Sequence, residues 1–146
     1  MTSHRRLEQA LQRAVVEHLQ WRARDGVWWC HIPNGGWRSP VEAKIFKALG
    51  VVAGAPDLLI VADGRAYFLE LKAPHGRISD AQHKCHQALW AAGVSVAVAD
   101  NIDQALELLE GWQILRPNPS SQPTKAFQQL RHDVARRTAP SCGGRS

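Results

Sequence analysis

The sequence predicts an α/β fold, a mixed β-sheet flanked by α-helices in the chain order α-β-α-β-β-α-β-α. Short, continuously apolar runs are typical of strands that are buried on both faces. Capping residues mark helix starts, and a two-residue turn joins two of the apolar runs. With 146 residues, 45% of them hydrophobic, the chain has the size of one domain with a well-filled core.

The first part of the chain predicts a helix, a strand and a second helix. Apolar residues at helical spacing predict a helix over residues 4–24, which an Asp-Gly pair ends. Residues 27–32 are rich in strand formers and stop before a proline. Residues 39–42, Ser-Pro-Val-Glu, combine a capping box with a proline at the first helical position. They predict a short helix that a glycine closes at residue 50.

The second part of the chain predicts a hairpin, followed by a helix, a strand and a last helix. The apolar run 58–61 and the strand 66–72 flank Asp63-Gly64, which is a hairpin turn signal. The remaining elements are predicted as a helix over 79–92, a strand over 94–99 and a helix over 101–110.

By composition the chain divides into a body, residues 1–112, and a tail, residues 113–146. Basic and acidic residues cancel in the body. The tail holds six basic residues and one acidic residue, and so carries the whole net charge of +5. It contains several prolines, a possible short helix over 124–137 and an end predicted to be disordered. Such a tail either attracts a phosphate backbone at long range or is simply solvated, and both interpretations stay open.

Features of the whole chain predict a cytoplasmic protein. Its three cysteines have no paired spacing, which indicates a reduced environment. No apolar run reaches the length of about 18 residues that a membrane span needs. The N-terminus leads into charged helical sequence without an apolar signal segment.

The end of the predicted hairpin carries two carboxylates and a lysine. Glu70 and Lys72 are two residues apart on one strand and therefore share a face. The turn pairs the start of one strand with the end of the next, which brings Asp57 close to Glu70. Such a group can hold Mg²⁺ or Mn²⁺ and a water against a phosphodiester. The alternative is a surface ion pair between Glu70 and Lys72.

These residues, with Gly-Ala-Pro before Asp57, resemble the PD-(D/E)XK nuclease superfamily and, more narrowly, the small stand-alone type of virus-type replication-repair nuclease (VRR-NUC) domain. The resemblance covers about residues 7–110, and its motifs are residues 34–36, 50–57, 68–73, 76–79 and Gln82. It implies a restriction-endonuclease-like fold and DNA cleavage with Mg²⁺ or Mn²⁺. It also implies branched substrates such as Holliday junctions, a homodimer, and a role in DNA repair, recombination or phage replication.

The resemblance further implies roles for the residues at the strand end. Asp57 and Glu70 match the metal-binding carboxylates, and Lys72 matches the catalytic lysine. The carbonyl of Leu71 is expected as a further metal ligand. Gln82 matches a glutamine that assists the site, although Ser79 and Gln82 also fit a capping box.

A glutamate on the first helix is expected to face the metal. Glu8 and Glu17 compete for this place, and the sequence around Glu8 fits the family pattern better; a solvated helix face is the alternative for either. The DNA-binding candidates, each of which could be merely exposed, are Asn34, Arg38, Lys44, Arg77 and Lys84.

Aromatic residues and histidines supply weaker candidates. Trp28, Trp29 and Trp37 could stack on unpaired bases, but packing in the core or in a dimer is the first expectation. The segment 83–86, His-Lys-Cys-His, places its metal-binding side chains around a helix and does not favour zinc.

The sequence therefore predicts a metal-dependent DNA endonuclease. A restriction-like, flap or single-strand nuclease of the same superfamily is one alternative. A DNA-binding module without catalysis is another, and the intact Asp57, Glu70 and Lys72 argue against it.

Overall fold

The computed structural model of the protein describes residues 3–33 and 39–118, and its elements follow the predicted order. The predicted fold class is therefore confirmed. Asn34, Arg38, Trp37 and the predicted helix over 124–137 lie outside the described residues. The elements are α1 (Ser3–Arg22), β1 (Trp28–His31), α2 (Pro40–Ala48), β2 (Leu58–Ala62), β3 (Arg65–Leu71), α3 (Asp80–Ala91), β4 (Ser95–Ala99) and α4 (Ile102–Gly111).

The strands form one mixed sheet in the spatial order β1-β2-β3-β4. The first three strands are antiparallel neighbours, and β4 lies parallel to β3. Asp63 and Gly64 both have positive φ, of 52° and 71°, as a tight hairpin turn of the mirror-image type requires. This turn sets the β2–β3 register in which Leu58 lies opposite Leu69.

One face of the sheet packs against α1 and α4 and forms the core. Alternate residues of β2 and β3 point into it, as the period of two in a strand dictates. The fully or almost fully buried members are Val15, Leu19, Leu58, Ile60, Ala62, Leu69, Leu71, Ala99, Ala105, Leu109, Ile114 and Leu115.

The core includes residues after α4 that the sequence analysis assigned to the tail. Ile114 and Leu115 are buried, and Leu115 forms an isolated antiparallel bridge with Ala23. The Arg116 N–H donates to the Arg22 carbonyl at 2.9 Å. These contacts fasten the chain after α4 to the end of α1.

The other sheet face is only partly covered. The helix α3 packs along β4, and its N-terminal part reaches the end of β3. In contrast, α2 contains no buried residue and packs substantially against no other described helix or strand. None of the described helices is long and apolar enough to cross a membrane.

Candidate active site

The hairpin brings Asp57 to the end of β3, as its register predicts. The Asp57 Oδ2 accepts a hydrogen bond from the Leu71 N–H at 2.8 Å. The Asp57 carbonyl accepts the Ile32 N–H at 2.8 Å and lies 2.8 Å from His31 Nδ1. A backbone group of β3 thus fixes the side chain of Asp57, and groups at the end of β1 and directly after it fix its main chain.

Glu70 is a buried carboxylate, only 1% exposed. Its Oε1 lies 3.0 Å from Lys72 Nζ and accepts a hydrogen bond from Gln82 Nε2. The Lys72 side chain is itself largely covered, at 13% exposure. The pair is thus not the surface ion pair that the sequence left as an alternative. A buried ion pair that is short of partners costs free energy, which is common where a protein keeps charge for function.

Gln82 makes two sets of contacts, of which the first confirms the predicted capping box. Its Oε1 accepts the Ser79 N–H at 2.9 Å, and the Ser79 hydroxyl accepts the Gln82 N–H at 3.3 Å, which completes the capping box of α3. The amide nitrogen remains available and donates to Glu70. The cap fixes the side chain in the orientation that this contact needs.

The surroundings of the two carboxylates raise the pKa of both. Burial, followed by the negative charges of Asp57 and Glu8, raises the pKa of Glu70 to about 7 although Lys72 opposes the shift. Burial also raises the pKa of Asp57, while the Leu71 N–H and Lys72 act in the opposite direction. This crowding of negative charge in a poorly solvated place would be relieved by a cation.

The first helix contributes Glu8 and not Glu17. The Glu8 Oε1 accepts the Ala73 N–H at 3.2 Å, whereas Glu17 is exposed on another face of α1. Glu8 also lines an open cleft of about 200 Å³ at the end of the sheet. The other residues that line this cleft are Arg5, Gln9, Gln12, His31, Pro33, Asp57 and Leu71.

Several residues of this cleft were missed by reasoning from the sequence. Arg5, Gln9 and Gln12 have the helical spacing of Glu8 and present one polar face of α1 to the cleft. Their periodicity was visible, but polar helix faces usually point to solvent. This face differs from an ordinary one because it lies close to Asp57 and to the chain at the end of β3.

The predicted DNA contacts that fall within the described residues do not line the cleft. Lys44, Arg77 and Lys84 are exposed, and none of them lines the cleft. Of the tryptophans, Trp29 packs against the core, while Trp28 is 57% exposed. DNA contact by any of these side chains stays a prediction.

The chemistry of the donor set fits a hard divalent cation. Asp57, Glu70, Glu8 and the Leu71 carbonyl all offer oxygen, which Mg²⁺ and Mn²⁺ prefer. The buried Glu70 Oε2 has no hydrogen-bond partner among the described residues. No three acidic, histidine or cysteine side chains in ranges 3–33 and 39–118 converge on one metal position. One or two carboxylates suffice for Mg²⁺, because it keeps several waters and shares the phosphate oxygens of its substrate.

A mixed sheet whose hairpin end carries a buried carboxylate, a partly buried carboxylate and a lysine is typical of a nuclease-type domain of the restriction-endonuclease-like class. The sequence profile of the VRR-NUC domain matches residues 6–103. The chain therefore belongs to the VRR-NUC domain family, which is a family of nucleases.

Solved structures agree with this assignment. One, described as a VRR-NUC domain protein, superimposes with a TM-score of 0.60 at 25% identity over 80% of this chain and 96% of its own. A second, described as a VRR-NUC domain, gives a TM-score of 0.51 at 22% identity over 71% of this chain and 95% of its own, and supports the fold alone. A search of curated proteins finds no match to this chain.

Proposed function

We propose that this chain is an endonuclease that hydrolyses DNA phosphodiester bonds with Mg²⁺ or Mn²⁺. The observation that carries the proposal is the position of Asp57, Glu70 and Lys72 at one hairpin end. Asp57 also lines the cleft, so a DNA strand in the cleft would pass next to this carboxylate. The pKa values of both carboxylates are raised, which supports the binding of a cation between these carboxylates and the DNA strand.

Each residue of the hairpin end has a role in this proposal. Asp57 and Glu70, with the Leu71 carbonyl, hold the metal. When bound, such a metal polarises a phosphoryl oxygen and makes a water molecule more acidic. Lys72 orients the attacking water and stabilises the charge that develops on the phosphate. Gln82 fixes Glu70 by donating to its Oε1.

The test is cleavage of DNA by the purified protein in Mg²⁺ or Mn²⁺, with Asp57→Ala and Lys72→Ala beside it. Each substitution is expected to lower the cleavage rate by about 100-fold or more, because each removes a group that acts in the transition state. Asp63→Asn is the control, since Asp63 is a carboxylate in the hairpin turn that pairs with Arg24, and asparagine removes its charge while tolerating its positive φ. Variants that cut as fast as the wild type would rule out the proposed roles.

The substrate that we propose is branched DNA, such as a four-way junction, in the cytoplasm. The resemblance to the VRR-NUC family supports the choice of branched DNA as the substrate. A panel of duplex, flap, splayed and four-way DNA tests it, and a preference for the four-way form is the expected result. If plain duplex is cut equally well, the result would instead favour a restriction-like enzyme. If the flap is preferred, it would favour a flap nuclease. Binding without any cleavage would indicate a non-catalytic module.

A homodimer fits a junction, because two-fold symmetry presents two sites to two equivalent strands. The exposed helix α2 supports this part of the proposal. Val41, Ile45 and Leu49 recur at helical spacing along it and are 67%, 53% and 74% exposed. An apolar stripe of this kind is the surface expected of a helix that packs against a second copy.

A further inference from the structure

The buried histidine His86 lies directly behind Glu70 and has no role in the proposed mechanism above. It is only 1% exposed, and its ring packs edge-on against Trp90, with ring centroids 6.1 Å apart. His86 Nε2 is 4.0 Å from Glu70 Oε2, which is too long for a hydrogen bond. Buried polar atoms are almost always paired, so this arrangement needs an explanation.

The two unpaired atoms face each other. Glu70 Oε2 and His86 Nε2 are the buried side-chain polar atoms that lack a hydrogen-bond partner within the described ranges. The other oxygen of Glu70, Oε1, is already occupied by Lys72 and Gln82. The carboxylate is thus fixed at one oxygen and free at the other.

The helix α3 supplies two side chains, Gln82 and His86, that lie next to the Glu70 carboxylate. Gln82 and His86 are four residues apart and therefore lie on the same face of α3, one turn above the other. Gln82 contacts one oxygen of Glu70, and His86 faces the other. A carboxylate that binds metal needs its orientation fixed by groups behind it, and such outer groups affect metal affinity strongly.

We propose that His86 is a positioning residue, whose Nε2–H hydrogen-bonds Glu70 Oε2 when the metal site is filled and so fixes the orientation of the carboxylate. This inference rests on the proposed function, because it assigns Glu70 to the metal site. It adds a residue that does not touch substrate or metal and acts only through Glu70.

Binding of Mn²⁺ without DNA tests this inference by calorimetry. His86→Leu removes the donor while keeping similar bulk, and is expected to weaken Mn²⁺ binding by about 10-fold to 100-fold. His86→Gln places an N–H near the position of Nε2 and is expected to restore most of the affinity. His83→Leu is the matched control, because His83 is an exposed histidine on the same helix.

Thermal unfolding in a chelator separates positioning from a structural role. Oε2 has no partner in the metal-free arrangement, so His86→Leu leaves no new buried group unpaired and is expected to keep or raise Tm. A leucine variant that binds Mn²⁺ as tightly as the wild type overturns the inference, whatever its Tm. A glutamine variant as weak as the leucine variant overturns it too, because bulk and not the donor would then be missing. A wild-type protein that neither binds Mn²⁺ nor cuts DNA instead removes the proposed function itself.

Discussion

At the scale of single residues, Glu70 shows how the site departs from an ordinary surface. Its carboxylate is buried beside Asp57 and Glu8, which raises the pKa to about 7 from 4.5. Between these two pH values the folded, metal-free protein binds more protons at Glu70 than the unfolded chain does. The free energy of unfolding therefore falls as pH rises through this window and becomes constant above it.

The first prediction concerns Glu70→Gln, which keeps the shape of the side chain and removes its charge. Relative to this variant, the metal-free wild type is expected to lose about 3 kcal/mol of stability between pH 4.5 and pH 8. Urea unfolding in a chelator at several pH values measures the difference. Parallel pH profiles for the two proteins would show that Glu70 does not titrate in this range.

The second prediction concerns Arg5, the only lysine or arginine among the described residues of the cleft wall. If a DNA strand lies in the cleft, Arg5→Gln removes one phosphate contact. A plot of the logarithm of the DNA-binding constant against the logarithm of the salt concentration should then have a slope that is shallower by about 1. Binding should weaken to a similar extent for all DNA sequences.

The control for this prediction is Arg13→Gln, because Arg13 is exposed on α1 and does not line the cleft. Binding is measured with Ca²⁺ in place of the catalytic metal, at several salt concentrations. Equal slopes for both variants would place the DNA strand elsewhere.

The residues of the site differ in how far the sequence could predict them. Asp57, Glu70 and Lys72 could be placed together, because a two-residue turn and a period of two fix their register. His86 could not, since its burial depends on how α3 packs over the end of β3. In the sequence it is one of several polar residues in the segment 83–86, and no local pattern distinguishes it.

At the scale of elements, the connection before β2 depends on a close approach between backbones. Gly54 has a φ of +76°, and a Cβ at this position would lie 2.4 Å from the backbone of Ala81 and Gln82. Only glycine allows the loop to touch the first turn of α3. Asp57 follows Gly54 by three residues, and Gln82 lies in the turn that Gly54 touches. The contact therefore helps to fix Asp57 and Gln82 relative to each other.

The third prediction is that Gly54→Ala damages both stability and activity. Positive φ costs an alanine about 1–2 kcal/mol, and the clash adds about 1–3 kcal/mol because it involves backbone atoms. Gly50→Ala is the matched control, since Gly50 also has positive φ, +87°, but nothing lies within 4 Å of its Cβ position. Chemical unfolding and DNA cleavage are measured for both variants. Similar losses in the two would show that backbone strain alone matters.

Element boundaries could be predicted where local chemistry sets them. The capping boxes at Ser39 and Ser79 and the cap at Asn101 are formed as their sequences indicate. The contact of Gly54 with α3 could not be predicted, because it joins segments that are distant in sequence. The burial of Ile114 and Leu115 was missed because two apolar residues are too few to show a period.

At the scale of the whole molecule, the described residues leave the helix α2 largely exposed. The core lies on the α1 and α4 side of the sheet, whereas α2 buries none of its residues. Val52, just beyond α2, is a further apolar residue at 56% exposure. A helix with little packing gains little stability from its tertiary contacts, so an apolar stripe on α2 fits the proposed contact with a second copy.

The fourth prediction concerns this stripe. The double substitution Ile45→Glu and Leu49→Glu places charge on it and is expected to convert the proposed homodimer to a monomer. Light scattering and sedimentation velocity measure the change. Because a four-way junction requires two cuts and a single-stranded flap requires one, the monomer should lose coordinated junction cleavage and retain flap cutting where the wild type shows any.

Trp21→Glu is the control for the fourth prediction, since Trp21 is a large apolar residue, 80% exposed, at the far end of α1. It should leave both the mass and the junction cleavage unchanged. A wild-type protein that is monomeric at all concentrations would exclude α2 as a dimer surface. If the protein stays dimeric with the α2 substitutions and becomes monomeric with Trp21→Glu, the interface lies at the end of α1. In that case the interface at α1 would set the spacing of the two sites, and with it the shape of the DNA that both sites can reach at once.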